Sequence, residues 1–513
     1  QNIMLTWQDQ KSKSYRSFDK EKMTGLMKKL DGQKAVVEEI KKTPKKTYAP
    51  LLYDLTELQR EANQRFGYSA KETLNIMQRL YENHKVLTYP RTDSRYLSKD
   101  IVPTIKDRLE ACSTGPYRKL AMTAKKKDLS GKLAFVNDAK VSDHHAIIPT
   151  EQFVDLSHMT NEERKIYDLV VRRFLAVLYP PFEYEQTQVT VKVGGETFLA
   201  SGKIVKAQGW RAAYEEEVYS AEDEEEEEAY ESGKSLKGQT LPELEKGQEI
   251  KGLVLSLTEG KTKPPAHFNE ATLLSAMENP TAYMESHDKA MAKTLGETGG
   301  LGTVATRADI IEKLFKSFLL EKRGKDIYLT SKAKQLLELV PEELKQPELT
   351  ADWEMRLSQI AKGKLSRKDF MKDIDKYTDQ VVSEIKAGAG TFRHDNLTNS
   401  KCPRCGKRML AVKGKNSEML VCQDRECGYR ETVSRTTNAR CPVCHKKMQL
   451  KGRGDGQIFV CVCGHKEKLT SFQERRKKEG AGVSKKDVQK YLRQQKDEPV
   501  NNPFADALAK IKL

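Results

Sequence analysis

A multidomain α+β protein that ends in two small cysteine-knuckle units is the architecture this sequence predicts, and three observations predict it. At 513 residues the chain is too long for one hydrophobic core. Segments with a helical apolar period alternate with β-branched runs broken by glycines. Eight of the nine cysteines fall between Cys402 and Cys463. Hydrophobic residues make up only 37% and charged residues 32%, yet the periodic apolar segments recur too often for a disordered chain. No run approaches eighteen apolar residues, so no membrane span is expected.

Residues 1–50 read as short strands and a basic loop that closes on the segment Pro44–Pro50. The chain opens at Gln1 inside a strand-like run, Ile3 to Trp7, which reads as the start of a fragment. Leu55, Leu58, Ala62 and Phe66 share one helical face, and Gly67 ends it. Ser69 and Glu72 form a capping box for a second helix striped by Leu74, Met77, Leu80 and Tyr81. A short strand, Val86–Tyr89, follows. Two helices, a glycine turn and a strand suit a winged-helix unit and an ordinary αα-hairpin equally well. A helix over 161–178 closes the region. Val189, Val191 and Val193 lead through Gly194-Gly195 into Thr197 and Leu199, a two-residue β-hairpin. Another strand falls near Ile250–Leu257, after an acidic run, Glu222–Glu228, that reads as a solvated loop. Lys261–Pro265 is a linker. From Phe268 to Ile385 the pattern is mainly helical around a glycine-rich loop at 296–302, and Ala387–Gly390 form a hinge.

The net charge of +16 is concentrated at one end. Residues 401–513 carry 27 Lys and Arg against 12 Asp and Glu, while the first 400 residues are nearly balanced at 63 against 62. A basic terminus binds nucleic-acid phosphates or serves as a solubilising tail. Within it, Cys402-x₂-Cys405 precedes Cys422-x₄-Cys427, and Cys441-x₂-Cys444 precedes Cys461-x-Cys463, with sixteen residues between the pairs each time. That spacing is a zinc-ribbon pattern, with Zn²⁺ in a structural role because four thiolates leave no open position. The Cys461-x-Cys463 knuckle is tighter than usual and makes the second ribbon a candidate for a degenerate one.

The central chemical signal is Thr88-Tyr89-Pro90-Arg91-Thr92-Asp93-Ser94. A tyrosine can attack a phosphodiester and conserve the bond as a phosphotyrosine. Its phenol is a weak nucleophile at neutral pH and needs help with its proton. A cation such as Arg91, aimed to the same side by Pro90, would stabilise charge growing on the phosphorus centre, by a factor of order 10²–10³ on the analogy of oxyanion-hole donors. His144 and His145 sit in Lys140-Val141-Ser142-Asp143-His144-His145-Ala146-Ile147-Ile148-Pro149-Thr150, and a protonated histidine can donate to a phosphate. Gly299-Gly300-Leu301-Gly302-Thr303-Val304-Ala305-Thr306-Arg307 reads as a loop that lets a phosphate approach the backbone ahead of a helix N-terminus.

These three segments, with Gln78-Arg79-Leu80-Tyr81-Glu82 before the first and Pro264–Ala271 before the last, resemble the signatures of type IA DNA topoisomerases of the topoisomerase III kind. The resemblance covers roughly residues 1–390 and, more loosely, the ribbons. It implies that Tyr89 is the nucleophile that joins the 5′ phosphate, that Arg91 contacts that phosphate and that His144 faces it. It also implies DNA contacts by Thr306 and Arg307, with Arg95 and His145 as further candidates; His145 stands where relatives often carry glutamate. The implied fold is a toroidal core. Its β-strand arch is residues 1–50 and 181–262, its winged-helix-like lid 51–180, and its helical base 263–394. Two zinc ribbons, 400–470, and a basic tail, 471–513, follow.

The implied activity is ATP-independent breakage, strand passage and rejoining of single-stranded DNA, relaxing negative supercoils and decatenating DNA. The implied partners are single-stranded and underwound duplex DNA, and the implied setting is a bacterial cytoplasm at the nucleoid. Complete members begin with a Toprim domain that holds Mg²⁺ on an acidic cluster. Asp373-Ile374-Asp375 is the nearest match here and reads as a solvated helix face. The expectation is therefore an enzyme without its Toprim domain, whose isolated chain binds single-stranded DNA but neither relaxes supercoils nor cleaves detectably; the alternative is a non-catalytic single-stranded DNA-binding remnant. A tyrosine recombinase or type IB enzyme is disfavoured, because Arg91 and His144 follow the tyrosine instead of preceding it.

Overall fold

Alternating valines build the main sheet. Its strands are β1 (Thr6–Gln8), β2 (Ala35–Thr47), β3 (Phe182–Val193), β4 (Glu196–Ala207), β5 (Gly238–Gln239) and β6 (Glu249–Ile250). The order is β1-β4-β3-β2-β6, antiparallel throughout, with β5 added parallel to β4. Val189, Val191 and Val193 alternate onto one face and pack with Val37, Leu30 and Phe198. The expected hairpin turns through Gly194 and Gly195 at φ 54° and 86°, the left-handed region its two-residue turn needs. Pro44 lies within β2, opposite Glu185, on a stretch that no second described strand joins, the edge position where a strand tolerates proline.

Two expectations for this region change. Lys20–Leu30 is a helix, α1, capped by Asp19, where a basic loop was expected; Met23, Leu26 and Leu30 pack on the sheet. Lysines at four of its eleven positions mask that short stripe. The strand expected over Ile250–Leu257 is only the two residues of β6, and Val254 is 86% exposed.

The structure, a computed structural model, describes residues 2–480 apart from 215–235, 237, 287, 389–395, 414–416, 425 and 453–455. The acidic run, residues 389 and 390 of the expected hinge, and the tail beyond 480 lie outside the described residues. The chain divides into two units, Gln1–Gly388 and Ala389–Leu513.

In the first unit the helices follow their caps. α2 (Leu55–Phe66) starts at Asp54, whose side chain accepts from the Glu57 N–H, and ends at Gly67, φ 71°. α3 (Ala70–Glu82) carries both halves of the Ser69–Glu72 capping box. α4 (Ile105–Ala111), α5 (Arg118–Ala124) and α6 (Asn161–Ala176) complete this layer. The strand expected at Val86–Tyr89 is an extended segment with one bridge, Leu87 to Pro149. Its partner is equally short, and Pro149 has no N–H to extend the ladder.

α7 (Glu270–Glu278), α8 (Lys289–Glu297) and α9 (Arg307–Lys316) follow. Leu274, Ala308 and Ile311 join the core formed by Leu58, Leu74, Met77 and Phe174, so α7 and α9 share one apolar interior with α2, α3 and α6. A hairpin, β7 (Leu320–Arg323) with β8 (Asp326–Leu329), interrupts what was expected to be helical. α10 (Ser331–Leu339), α11 (Pro347–Ala361) and α12 (Arg367–Ala387) end the unit. Asp373 and Asp375 lie exposed on α12, and Asp373 pairs with Arg356 at 3.3 Å.

The second unit is one antiparallel sheet of seven strands in sequence order, from β9 (Leu397–Lys401) through β10 (Arg408–Lys413), β11 (Ser417–Cys422), β12 (Arg430–Arg440), β13 (Lys447–Lys451) and β14 (Ile458–Val460) to β15 (Lys466–Lys468). β12 pairs with β11 on one side and β13 on the other, so both ribbons share it. Among the described residues, no helix is long and apolar enough to cross a membrane.

Candidate active site

Tyr89 is half-buried on the turn after the Leu87 bridge, and the main chain around it is pinned to the segment 144–150. Thr88 donates its N–H to the Ile148 carbonyl and accepts the Ile148 N–H on its hydroxyl, both at 3.0 Å. Thr92 donates its hydroxyl to the His144 carbonyl at 2.9 Å. Ser94 donates to the Lys140 carbonyl at 2.7 Å. The result brings His144 over Tyr89, ring centroids 4.4 Å apart, while Tyr81 meets Tyr89 edge-on at 5.6 Å. A cleft of about 460 Å³ opens there, lined by Tyr89, His144, His145, Ser98, Asp100 and Asp138 among others.

The other expected residues are placed differently. Burial pushes the His145 imidazole below its ordinary range, against the pull of the bond between Nδ1 and the Ala146 carbonyl at 2.7 Å. The ring is therefore neutral at neutral pH and brings no full charge to the cleft. Arg91 is not among the residues lining the cleft; its charge lies close enough to Asp309, on α9, to depress that carboxylate alongside Lys71. Arg95 points inward, its guanidinium donating to the Leu52 and Leu51 carbonyls at 3.1 and 3.5 Å.

The glycine loop is a second built element. Gly299, Gly300 and Gly302 all have positive φ, and a Cβ on Gly300 would sit 2.2 Å from the Met277 carbonyl oxygen, so only glycine fits there. Thr306 is exposed and its hydroxyl accepts the Thr303 N–H at 2.8 Å. Arg307 is only 2% exposed. Its guanidinium donates to the carbonyls of Gly299, Leu301 and Gly302 and, at 3.1 Å, to the Thr56 hydroxyl on α2. In this conformation it does not face solvent.

A family model described as DNA topoisomerase matches residues 2–372. The chain belongs to the bacterial DNA topoisomerases. Within them it is of the type IA, topoisomerase III kind, as the motifs imply. It is 58% identical over its whole length to DNA topoisomerase 3 of Bacillus subtilis (strain 168) and 60% identical to that of Bacillus anthracis, covering 69% of each. The full-length topoisomerase I from Thermotoga maritima shares the fold, with a TM-score of 0.51 over 89% of this chain and 63% of that one, at 20% identity. The chain thus spans about two thirds of the length of the topoisomerases it matches.

The cysteines of this topoisomerase form two groups of four, each with its sulfurs within 4.8 Å of one another. Cys402–Cys427 and Cys405–Cys422 are separated by 3.7 and 3.4 Å; Cys441–Cys463 and Cys444–Cys461 by 3.6 and 3.3 Å. Four sulfurs about 2.3 Å from a Zn²⁺ would stand about 3.8 Å apart, so both groups fit zinc. The tight second knuckle is as well gathered as the first. Among the described residues these are the only groups of three or more metal-capable side chains, so the residues present do not assemble a carboxylate site for Mg²⁺.

The reading of the topoisomerase motifs from sequence passed over Thr88, Thr92, Ser94 and Thr56. Their signal was present, since three of the four are hydroxyl residues inside the Thr88–Ser94 heptad.

Proposed function

We propose that this chain carries the strand-cleaving tyrosine and much of the DNA path of a type IA topoisomerase acting on single-stranded and underwound DNA. The observation that carries this reading is Tyr89 on the rim of a cleft with the His144 ring packed against it, centroids 4.4 Å apart and planes tilted by 40°. The Tyr89 phenol oxygen attacks the phosphorus and loses its proton; the 3′ oxygen leaves as a hydroxyl, and the 5′ phosphate stays on tyrosine. After a strand passes, that hydroxyl attacks the phosphotyrosine and restores the diester. One ester replaces another, so no nucleotide is consumed. His144 donates a hydrogen bond to the phosphate, and Arg91 adds positive charge once the strand reaches its side of the turn. The ribbons, closed by zinc, and the basic tail hold single-stranded DNA through its phosphates. The setting is a bacterial cytoplasm. No step is assigned to Mg²⁺, because the described residues do not form its site.

The test is Tyr89→Phe. The ring keeps its packing on His144 and Tyr81, so binding of a single-stranded oligonucleotide is expected to be unchanged. In the full-length enzyme, wild type should yield a covalent adduct with the labelled 5′-phosphate side in a denaturing gel, and the variant none. An adduct that persists in Tyr89→Phe removes Tyr89 from the reaction.

A further inference from the structure

We propose that Arg307 is a positioning residue, not a strand contact: it clamps the glycine loop from inside and ties the loop, through Thr56, to the turn that carries Tyr89. This rests on the function proposed above.

The clamp is visible atom by atom. Arg307 is the first residue of α9 and is almost wholly buried. Its Nε reaches the Leu301 carbonyl at 3.2 Å, its Nη2 the carbonyls of Gly299 and Gly302, and its Nη1 the Thr56 hydroxyl. A guanidinium with five donors in a planar fork can serve four acceptors at once; an ammonium on a single stem cannot. Because a trans peptide is planar, turning the Leu301 carbonyl inward turns the Gly302 N–H outward. Gly302, Thr303 and Thr306 are exposed on that outer side. The loop therefore offers the Gly302 N–H to a phosphate, beside the Thr303 and Thr306 hydroxyls that bond one another at 3.0 Å, and it is held in place by a cation that never meets the strand.

On its other side the clamp reaches the reacting tyrosine. Thr56 is 1% exposed and lies in the first turn of α2. Its neighbour Leu55 donates its N–H to the Thr92 carbonyl at 3.1 Å, and the Thr92 hydroxyl donates to the His144 carbonyl at 2.9 Å. Three hydrogen bonds thus run from Arg307 through the α2 N-terminus to the pair Tyr89–His144.

The experiment titrates the full chain with an oligothymidylate over a range of salt, and then measures the adduct rate at saturating oligonucleotide in the full-length enzyme carrying the same substitutions. Thr56→Val keeps the volume and removes the hydroxyl; Thr56→Ser keeps the hydroxyl; Arg307→Gln removes the cation. Arg307→Gln is expected to weaken binding by about tenfold or more, the scale of a lost charge-assisted bond. The slope of log K against log salt should stay at the wild-type value. Thr56→Val should weaken binding and slow the saturated adduct rate, and Thr56→Ser should restore both, with thermal midpoints recorded for each. Thr56 is too buried to touch DNA, so its effect can only pass through Arg307 and α2. A slope that falls by about one unit in Arg307→Gln would make Arg307 a phosphate contact and overturn the proposal. Wild-type binding and adduct rate in Thr56→Val would overturn it as well, and decide the matter if Arg307→Gln does not fold. A wild-type chain that binds no oligothymidylate would instead defeat the proposed function.

Discussion

The Thr92 hydroxyl donates to the main-chain oxygen of His144 at 2.9 Å, joining two motifs that lie 52 residues apart in sequence. Thr92 is 2% exposed, and its oxygen also accepts the Ser94 N–H at 3.1 Å, so the hydroxyl orders its own turn while holding the histidine segment. With Thr88 bonded to Ile148, the tyrosine turn is fixed at both ends, and Tyr89 and His144 meet because the backbones beneath them are fastened.

Thr92→Val should therefore separate chemistry from binding. The valine fills the same space but leaves the His144 carbonyl without its donor. The rate of adduct formation on a labelled oligonucleotide by the full-length enzyme is expected to fall by about tenfold, on the scale of a buried polar group left unpaired, with oligonucleotide affinity unchanged. Thr92→Ser should retain the rate. Equal rates in wild type and Thr92→Val would show that this bond does not place His144.

The ribbons should bind two zinc ions per chain, read by elemental analysis after purification under reducing conditions. Both sulfur groups have the edge lengths of a tetrahedral site. Cys405→Ser should reduce the content towards one ion and loosen the Cys402–Cys427 half of the sheet, because structural zinc contributes directly to folding. A wild-type content near one would mark the Cys461-x-Cys463 knuckle as degenerate.

Asp54 predicts a pH dependence. Burial raises its carboxyl to about 7, although the Glu57 N–H bond and the Arg95 charge pull the other way. A carboxyl raised on folding binds its proton more tightly in the folded state. Its contribution is fully present below its unfolded value, about 4, and is lost as pH rises to about 7. Asp54→Asn preserves a side-chain acceptor for the Glu57 N–H and carries no charge. Its thermal midpoint should match wild type near pH 4 and exceed it at pH 8. A difference that does not change with pH would show that Asp54 does not titrate in this range.

Glu61 closes a buried charge network. It accepts from Arg173 at 2.7 Å, and the same guanidinium donates to the Tyr53 and Tyr214 hydroxyls and to the Leu51 carbonyl. Glu61→Ala leaves the Arg173 charge buried without its counterion. That is expected to cost about 3–5 kcal/mol in urea unfolding. A loss under about 1 kcal/mol would place the burden of that charge on the two tyrosines.

Sequence alone determined the local elements with a strong periodic or capping signal: the α2 and α3 boundaries at Gly67 and Ser69, the Gly194-Gly195 hairpin, and both cysteine quartets. Each follows from interactions within a few residues, or from a ligand spacing that a metal imposes. The short stripe of α1 and the β7–β8 hairpin were missed for the same reason, because lysines and flanking helical pattern outweigh a signal only a few residues long. Tyr89 and His144 were legible as chemistry. That they face one another was not, since it depends on hydrogen bonds between segments 52 residues apart.

Arg307 marks the boundary most clearly. Its motif indicated an arginine at a phosphate loop, and a cation beside glycines reads as a phosphate contact. Only the packing of α9 against α3 and of α7 against α2 turned the side chain inward, where four acceptors, the Thr56 hydroxyl among them, satisfy it. A sequence specifies which donors a residue carries. Which acceptors they meet is decided when the apolar faces of distant helices close over them, because a buried charge must take the partners that closure leaves within reach.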